Sequence, residues 1–283
     1  MNEEYVMKVF LTGGSGYIGR VTIAELVRQG HTVEALARSE RSAEAVADAG
    51  AIAVRGGLAD LTMLNSAAAR AEAVIHLAQA STAEEDLAAA TAMQDGVGVG
   101  TYVHTGGSWV YGDTDGVRDE TAPWHAPAVV AWRKPVEDAV LARAATGGRP
   151  AIVQPGLLHG GDNRLIEDFF LKPGRRNGAV PYIGDGANRW ALVHVEDIAT
   201  LYVAALSARA GSVYIGVGDG HPSMKEFLEA AAQDAGLDGK TVSISLAQAR
   251  AEMGPIADAF ALDQRLSSAK ARRELGWIPK HAC

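Results

Sequence analysis

Apolar positions in the first half of the chain alternate between short runs and helical spacing. Residues 6–12 form an apolar run that ends in glycines. Residues 17–29 then place Ile18, Val21 and Leu26 at helical intervals and stop at Gly30. The same alternation predicts strands over 32–37, 51–55, 73–78 and 99–105, and helices over 41–49, 60–70 and 82–94. Asp60 stands where an N-cap belongs, and Gly50 closes the helix before it. Strands and helices alternating at these lengths need right-handed crossover connections and a parallel sheet covered on both faces. The expected fold class is α/β with a doubly wound parallel sheet.

The pattern loosens after residue 105. Residues 106–127 carry glycine, aspartate and proline and read as a long loop, of the kind that usually serves function. A helix is expected over 128–145, interrupted near its start by Pro135, and a sixth strand over 151–154, broken by Pro155-Gly156. Residues 171–186 hold several glycines, two prolines and the pair Arg175-Arg176, and read as a lid or cap. A strand over 190–195, a helix over 196–207, a strand over 212–217 and helices over 222–235 and 258–275 follow. The chain therefore divides into a nucleotide-binding domain, 1–156, and a mainly cap region, 157–283, with about 190–217 returning to the core sheet.

Composition adds exclusions. Of 283 residues, 48% are apolar and 21% charged, which leaves little room for long disorder. Lys and Arg number 26 against 34 Asp and Glu, a net charge of −8. A nucleic-acid partner is not expected, because a phosphate backbone needs a basic face. One cysteine, Cys283, excludes an internal disulfide and a Cys-based zinc site. No His/Asp/Glu grouping shows metal-ligand spacing, so no metal is expected. No apolar run is long enough to span a membrane, and the acidic start Met1-Asn2-Glu3-Glu4 does not read as a signal peptide. A soluble cytoplasmic protein is the expectation.

The strongest chemical signal is TGGSGYIG at 12–19, between a strand and a helix. Gly13 allows the tight turn, Gly16 lets backbone approach a pyrophosphate, and Gly19 lets the helix pack close to the sheet. The helix end then offers unpaired N–H groups and a positive dipole to an anion. About 20 residues further on, NAD-binding chains place an acid for the ribose hydroxyls. Here that position is Ala37, followed by Arg38, with Arg41 a weaker second cation. A guanidinium without a carboxylate favours a 2′-phosphate, and hence NADP(H).

Further landmarks follow in order: VIHLA at 74–78, GGSWVYG at 106–112, QPGLLHG at 154–160, GDGANRWALVHVEDIA at 184–199 and SSAKARRELGWIP at 267–279. With the glycine turn they resemble the short-chain dehydrogenase/reductase superfamily of the extended or atypical kind, home of nucleotide-sugar epimerases and dehydratases. The resemblance is collinear over nearly the whole chain. It implies a Rossmann-type sheet with a smaller C-terminal α/β substrate-binding domain, a small-molecule substrate, and a homodimer through two helices as one arrangement. It also implies that Tyr17, Ile18, Leu58, Leu77, Ala78, Gln79, Pro155 and Leu157 lie against the cofactor.

The redox members of that superfamily use Ser or Thr, Tyr and Lys, the last two one helical turn apart. None of the seven tyrosines here has lysine four residues on. Aligned on Glu137, the Lys position holds Arg133 and the Tyr position Val129; the Ser position falls on Gly107, beside Ser108. Gly57 stands where relatives often carry Asp for the adenine. Valine transfers no proton, and arginine is a poor general acid or base. Tyr111, Ser108 and His159 are the candidate replacements, and Arg133 is the first candidate for a cofactor or substrate anchor. Trp109 and Trp132 read as aromatic walls for a planar substrate, and Arg189 aligns with a diphosphate clamp. His76, inside an apolar strand, and His194, before a helix start, read as structural.

Together the residues and the resemblance imply an NADPH-dependent reductase of a carbonyl, enone or imine in a small, aromatic or polyketide-like substrate. The missing pair leaves two other readings open: a non-redox isomerase, epimerase, lyase or cyclase on the same fold, and an NADP-sensing regulatory protein.

Overall fold

The computed structural model describes residues 6–282, so the sequence readings of Met1–Glu4 and Cys283 fall outside the described residues. Seven strands form the main sheet: β1 (Lys8–Thr12), β2 (Thr32–Ala37), β3 (Ile52–Arg55), β4 (Ala73–His76), β5 (Thr101–Thr105), β6 (Arg149–Pro155) and β7 (Ser212–Gly216). Their order is β3-β2-β1-β4-β5-β6-β7, and every pairing is parallel. The order reverses between β1 and β4. In open parallel sheets the crevice at the carboxyl ends of two such strands is where ligands bind.

Strand side chains alternate between two apolar layers. Val9 and Leu11 of β1 join α1 (Tyr17–Arg28) and α2 (Glu40–Asp48) through Ile23, Leu26, Ala43 and Val46. Phe10 turns to the other face, against α3 (Leu61–Ala68), α4 (Ala83–Val97) and α5 (Arg133–Ala142), through Leu64, Met93 and Val136. Burying a side chain of this size contributes roughly 2–3 kcal/mol. The helices start where local chemistry dictates: Ser39, Asp60 and Thr82 each accept a backbone N–H of the first turn.

The second half builds a smaller apolar cluster around Phe170, Trp190, Met224, Leu228 and Phe260. Three short parallel pairs lie outside the main sheet: Val180–Ile183 with Thr241–Ile244, Leu157–His159 with Leu192–His194, and Val117–Arg118 with Arg265–Leu266. The chain returns to the main fold through α6 (Val195–Ala204), which packs on the α1 face, and through β7.

Three sequence expectations need correction. The strand expected over 190–195 shortens to Leu192–His194 and pairs with Leu157–His159 rather than entering the main sheet. The helix expected over 258–275 is two helices, Ile256–Phe260 and Ala269–Leu275. Between them Gln264 is buried, and its amide donates to the carbonyls of Ser108 and Gly112, a tertiary demand that helical spacing cannot express. The helix expected from residue 128 starts at Arg133, which leaves Pro135 in the first turn, where its missing N–H costs nothing.

Candidate active site

Gly13 closes β1 with φ +75°, and a Cβ there would stand 2.6 Å from Ala78 N and from the Leu77 carbonyl carbon. Only glycine fits both demands. A Cβ on Gly19 would stand 2.1 Å from the Gly13 carbonyl oxygen, so the close packing of α1 on the loop also depends on a missing side chain. Gly16 is the N-cap of α1, makes no side-chain capping bond and is exposed together with Ser15. The first-turn N–H groups thus open onto the crevice at the switch point, as an anion-binding cradle requires. Tyr17 is spent differently. Its hydroxyl donates to the carbonyls of His159 and Gly160, tying α1 to the second half of the chain, and burial pushes the phenol well above its ordinary range.

At the end of β2, Ala37 is buried and Arg38 and Arg41 are exposed. Arg55 on the next strand is already paired with Glu40. A Cβ at Gly57 would meet nothing within 4 Å, so the position where relatives place an acid is open space beside half-buried Leu58. Leu77 and Ala78 are half-buried and Gln79 exposed at the end of β4; Pro155 and Leu157 are buried at the end of β6.

The reaction end is built from β5 and α5. Arg133, first residue of α5, donates through Nη1 to the Thr105 carbonyl at 3.0 Å and lies 4.7 Å from the centre of the Trp132 ring. Its Nε is buried without a hydrogen-bond partner and faces Gly107, where an added Cβ would lie 3.8 Å away. A buried, unpartnered donor beside the Ser position suits an oxygen-rich ligand. The cradle and this donor together fit a dinucleotide.

Tyr111 departs from its expected role. It is 2% exposed, and its hydroxyl donates to Gln154 Oε1 at 2.6 Å; Gln154 Nε2 in turn donates to Glu137 Oε2 at 2.9 Å. Burial, then the charges of Glu120 and Glu137, push the phenol far up, so its proton is directed into the core. Ser108 is buried and its carbonyl is held by Gln264. Burial pushes the Glu137 carboxyl up to about 7, and its Oε1 has no hydrogen-bond partner.

His159 lies on the wall of a cavity of about 1040 Å³ with Arg20, Arg164, Lys172, Arg175 and Phe227. Burial and the neighbouring His194 lower its pKa to about 4, so the imidazole is neutral near pH 7. Trp109 stands edge-on to Phe260, with ring centres 5.8 Å apart. Arg189 is exposed; its Nη1 donates to the His221 carbonyl at 2.9 Å and lies 3.6 Å from Glu226 Oε2. His194 caps α6, its Nδ1 accepting the Glu196 N–H.

Sequence reading missed Gln154 and Glu137 as partners of Tyr111, and it missed a buried line of polar groups under the cradle. Thr12, His76, Asp86, His104 and Tyr102 touch in succession. They come from β1, β4, α4 and β5, so no local spacing could show them. The one available signal was His76 inside an otherwise apolar strand.

A model of the NAD-dependent epimerase/dehydratase family matches residues 9–216. An uncharacterised protein of Schizosaccharomyces pombe is 29% identical, covering 98% of this chain and 96% of its own. The 4-hydroxy-2-methyl-3-oxo-4-farnesyl-3,4-dihydroquinoline-1-oxide ketoreductase of Stigmatella aurantiaca is 28% identical over 96% of this chain and 92% of its own. Among solved structures, the dTDP-glucose 4,6-dehydratase of Streptomyces venezuelae, with NAD and TYD bound, superposes with a TM-score of 0.80 at 22% identity, covering 98% of this chain and 93% of that one. That likeness carries the fold alone. The matched span runs from the second residue of β1 to the last of β7, and the chain belongs to the NAD-dependent epimerase/dehydratase family.

Proposed function

We propose that the chain is an NADP(H)-dependent oxidoreductase that reduces a carbonyl, enone or imine in a small, aromatic or polyketide-like substrate. The observation that carries this reading is the open glycine turn at the switch point, with buried Ala37 in place of an acid at the end of β2 and exposed Arg38 next to it. Gly13, Gly16, Ile18 and Gly19 would hold the pyrophosphate through backbone, Arg38 the 2′-phosphate, and Arg133 the nicotinamide-side ribose or the substrate oxygen. When bound, the nicotinamide supplies a hydride.

The chain's own contribution at the reacting oxygen is charge. The Arg133 guanidinium stabilises a developing oxyanion, and arginine is a poor general acid. Tyr111 donates inward and His159 is neutral there. In this reading the proton therefore comes from water in the crevice, near Ser108 and Arg133. The ketoreductase name of the Stigmatella relative supports carbonyl reduction. No helix among the described residues is long and apolar enough to cross a membrane, and a cytoplasmic location belongs to the reading.

Calorimetric titration with NADPH and NADH tests the cofactor, and loss of nicotinamide absorbance with a panel of aromatic ketones and enones tests the chemistry. NADPH should bind at least 10-fold tighter than NADH. Equal binding overturns the cofactor assignment. Substrate conversion without stoichiometric NADPH oxidation overturns net reduction and favours the isomerase reading.

A further inference from the structure

We infer that Asp86 is a positioning residue for the dinucleotide: acting through His76 and Thr12, it fixes the Leu77–Ala78 peptide on which Gly13 rests. The inference builds on the cofactor reading above.

The connection can be followed atom by atom. The Ala78 N–H donates to Thr12 Oγ1 at 3.3 Å. Thr12 Oγ1 lies 2.6 Å from His76 Nδ1, and His76 Nε2 lies 3.2 Å from Asp86 Oδ1. One arrangement of protons satisfies the whole line: Thr12 donates to Nδ1, and the Nε2–H donates to the carboxylate. Each donation makes the next acceptor, His76 Nδ1 and then Thr12 Oγ1, a better one, so the Asp86 charge is felt at the Ala78 amide. Thr12 ends β1 and Ala78 follows β4, so its hydroxyl staples the two strands that part at the switch point. Gly13, whose missing Cβ admits the Leu77–Ala78 peptide, sits directly above that staple.

Everything in the line is buried. His76 and His104 are 1% exposed and Asp86 is 4% exposed. A buried carboxylate needs compensation. Burial alone would raise its pKa, but the hydrogen bond with His76 and the nearby His104 and Arg133 hold it below the ordinary value. The groups that face it are His76 on β4, His104 on β5 with Tyr102 hydrogen-bonded behind it, and the Arg133 charge from α5. Asp86 Oδ2 stands 3.5 Å from His104 Nε2 and makes no hydrogen bond. The carboxylate thus faces His76 from one oxygen, and its charge lies near the cation that reaches the reaction end.

The ligating atoms of His76, Asp86 and His104 also lie within 4.8 Å of one another, close enough to hold a cation. The hydrogen-bonded line accounts for both His76 nitrogens without one, and the nearby arginine charge opposes a second cation.

The test uses the full chain and NADPH, read by calorimetry and by nicotinamide fluorescence, with thermal midpoints recorded for every variant. Asp86→Asn and Thr12→Val each keep side-chain size and should weaken NADPH about 10-fold. Acting on one line, they should be non-additive, so that the double variant is no weaker than about 10-fold. Thr12→Ser should restore wild-type affinity. A lowered midpoint with unchanged NADPH affinity in Asp86→Asn, or losses that multiply in the double variant, overturns the inference. Should Asp86→Asn fail to fold, His76→Gln, which cuts the line between Asp86 and Thr12, takes its place, and unchanged NADPH affinity in that variant overturns the inference. Stoichiometric metal in the purified wild type, lost in His104→Gln, overturns it in favour of a cation site. A wild-type chain that binds neither NADPH nor NADH overturns the functional reading instead.

Discussion

Two ends of one crevice follow different rules in this protein. At the β1 and β4 end, the cradle depends on groups the chain lacks: a Cβ on Gly13 or Gly19 would stand within 2.6 Å of backbone. At the β5 and α5 end, function depends on where side chains point, and the structure points Tyr111 at Gln154 and leaves Arg133 Nε without a partner. Backbone binding leaves a local signature in sequence, because the glycines must stand at fixed offsets. Side-chain chemistry does not, because the partner that captures a hydroxyl can lie 43 residues away.

The sharpest way to break this contrast is at Gly13. Gly13→Ala puts a Cβ at positive φ and into the Leu77–Ala78 peptide. The conformational strain alone costs about 1–2 kcal/mol, and the clash adds to it. We expect a fall of several degrees in thermal midpoint and at least a 100-fold loss of NADPH affinity. Wild-type affinity in a folded Gly13→Ala variant would show that the cradle does not hold the ligand. Next in size is Arg38→Glu, which sets a carboxylate against a 2′-phosphate. The NADPH-to-NADH affinity ratio should fall about 100-fold with no change in thermal midpoint, because the residue is exposed. A ratio that does not move would relocate cofactor choice to Arg41 or elsewhere.

The reaction end offers a smaller, more discriminating test. Arg133→Lys keeps the charge but loses the planar fork that reaches the Thr105 carbonyl while lying over Trp132. A role in anchoring predicts about a 10-fold loss in NADPH affinity. Unchanged NADPH affinity in Arg133→Lys would show that the planar fork does not anchor the cofactor.

The difference between the ends also explains what the sequence could convey. Strand and helix alternation, the cap at Asp60 and the glycine turn are local patterns, and each is found in place. The helix expected through Gln264 failed because a buried amide serves the carbonyls of Ser108 and Gly112, more than 150 residues earlier in the chain. The resemblance implies a ligand role for Tyr111, yet its hydroxyl finds its partner inside the protein. His76 is buried and hydrogen-bonded, and the line it belongs to becomes visible only when β1, β4, α4 and β5 are brought together.

The last test isolates the Tyr111 line, and it reads stability rather than affinity. Burial holds the Glu137 carboxyl at about 7 against an ordinary value of 4.5. Below pH 4.5 folded and unfolded chains both carry this proton. Between 4.5 and 7 the unfolded chain releases it while the folded chain keeps it, so stability falls as pH rises and the contribution is gone above about 7. At about 1.36 kcal/mol per pKa unit the whole effect is roughly 3–4 kcal/mol at most. His104 and His159 act with the opposite sign: their pKa values are lowered to about 3 and about 4, so the unfolded chain takes up protons first as pH falls below about 6.5. The wild-type profile is therefore a sum, and its slope alone reveals nothing about Glu137. The informative quantity is the difference between Glu137→Gln and wild type. Measured by urea unfolding from pH 5 to 8, the variant should gain stability relative to wild type as pH rises toward 7 and hold that gain above it. A difference that stays flat across the range would mean that Glu137 is ionised throughout. The line Tyr111–Gln154–Glu137 would then end on a buried charge, and the reaction end would hold an anion opposite Arg133 rather than a neutral wall.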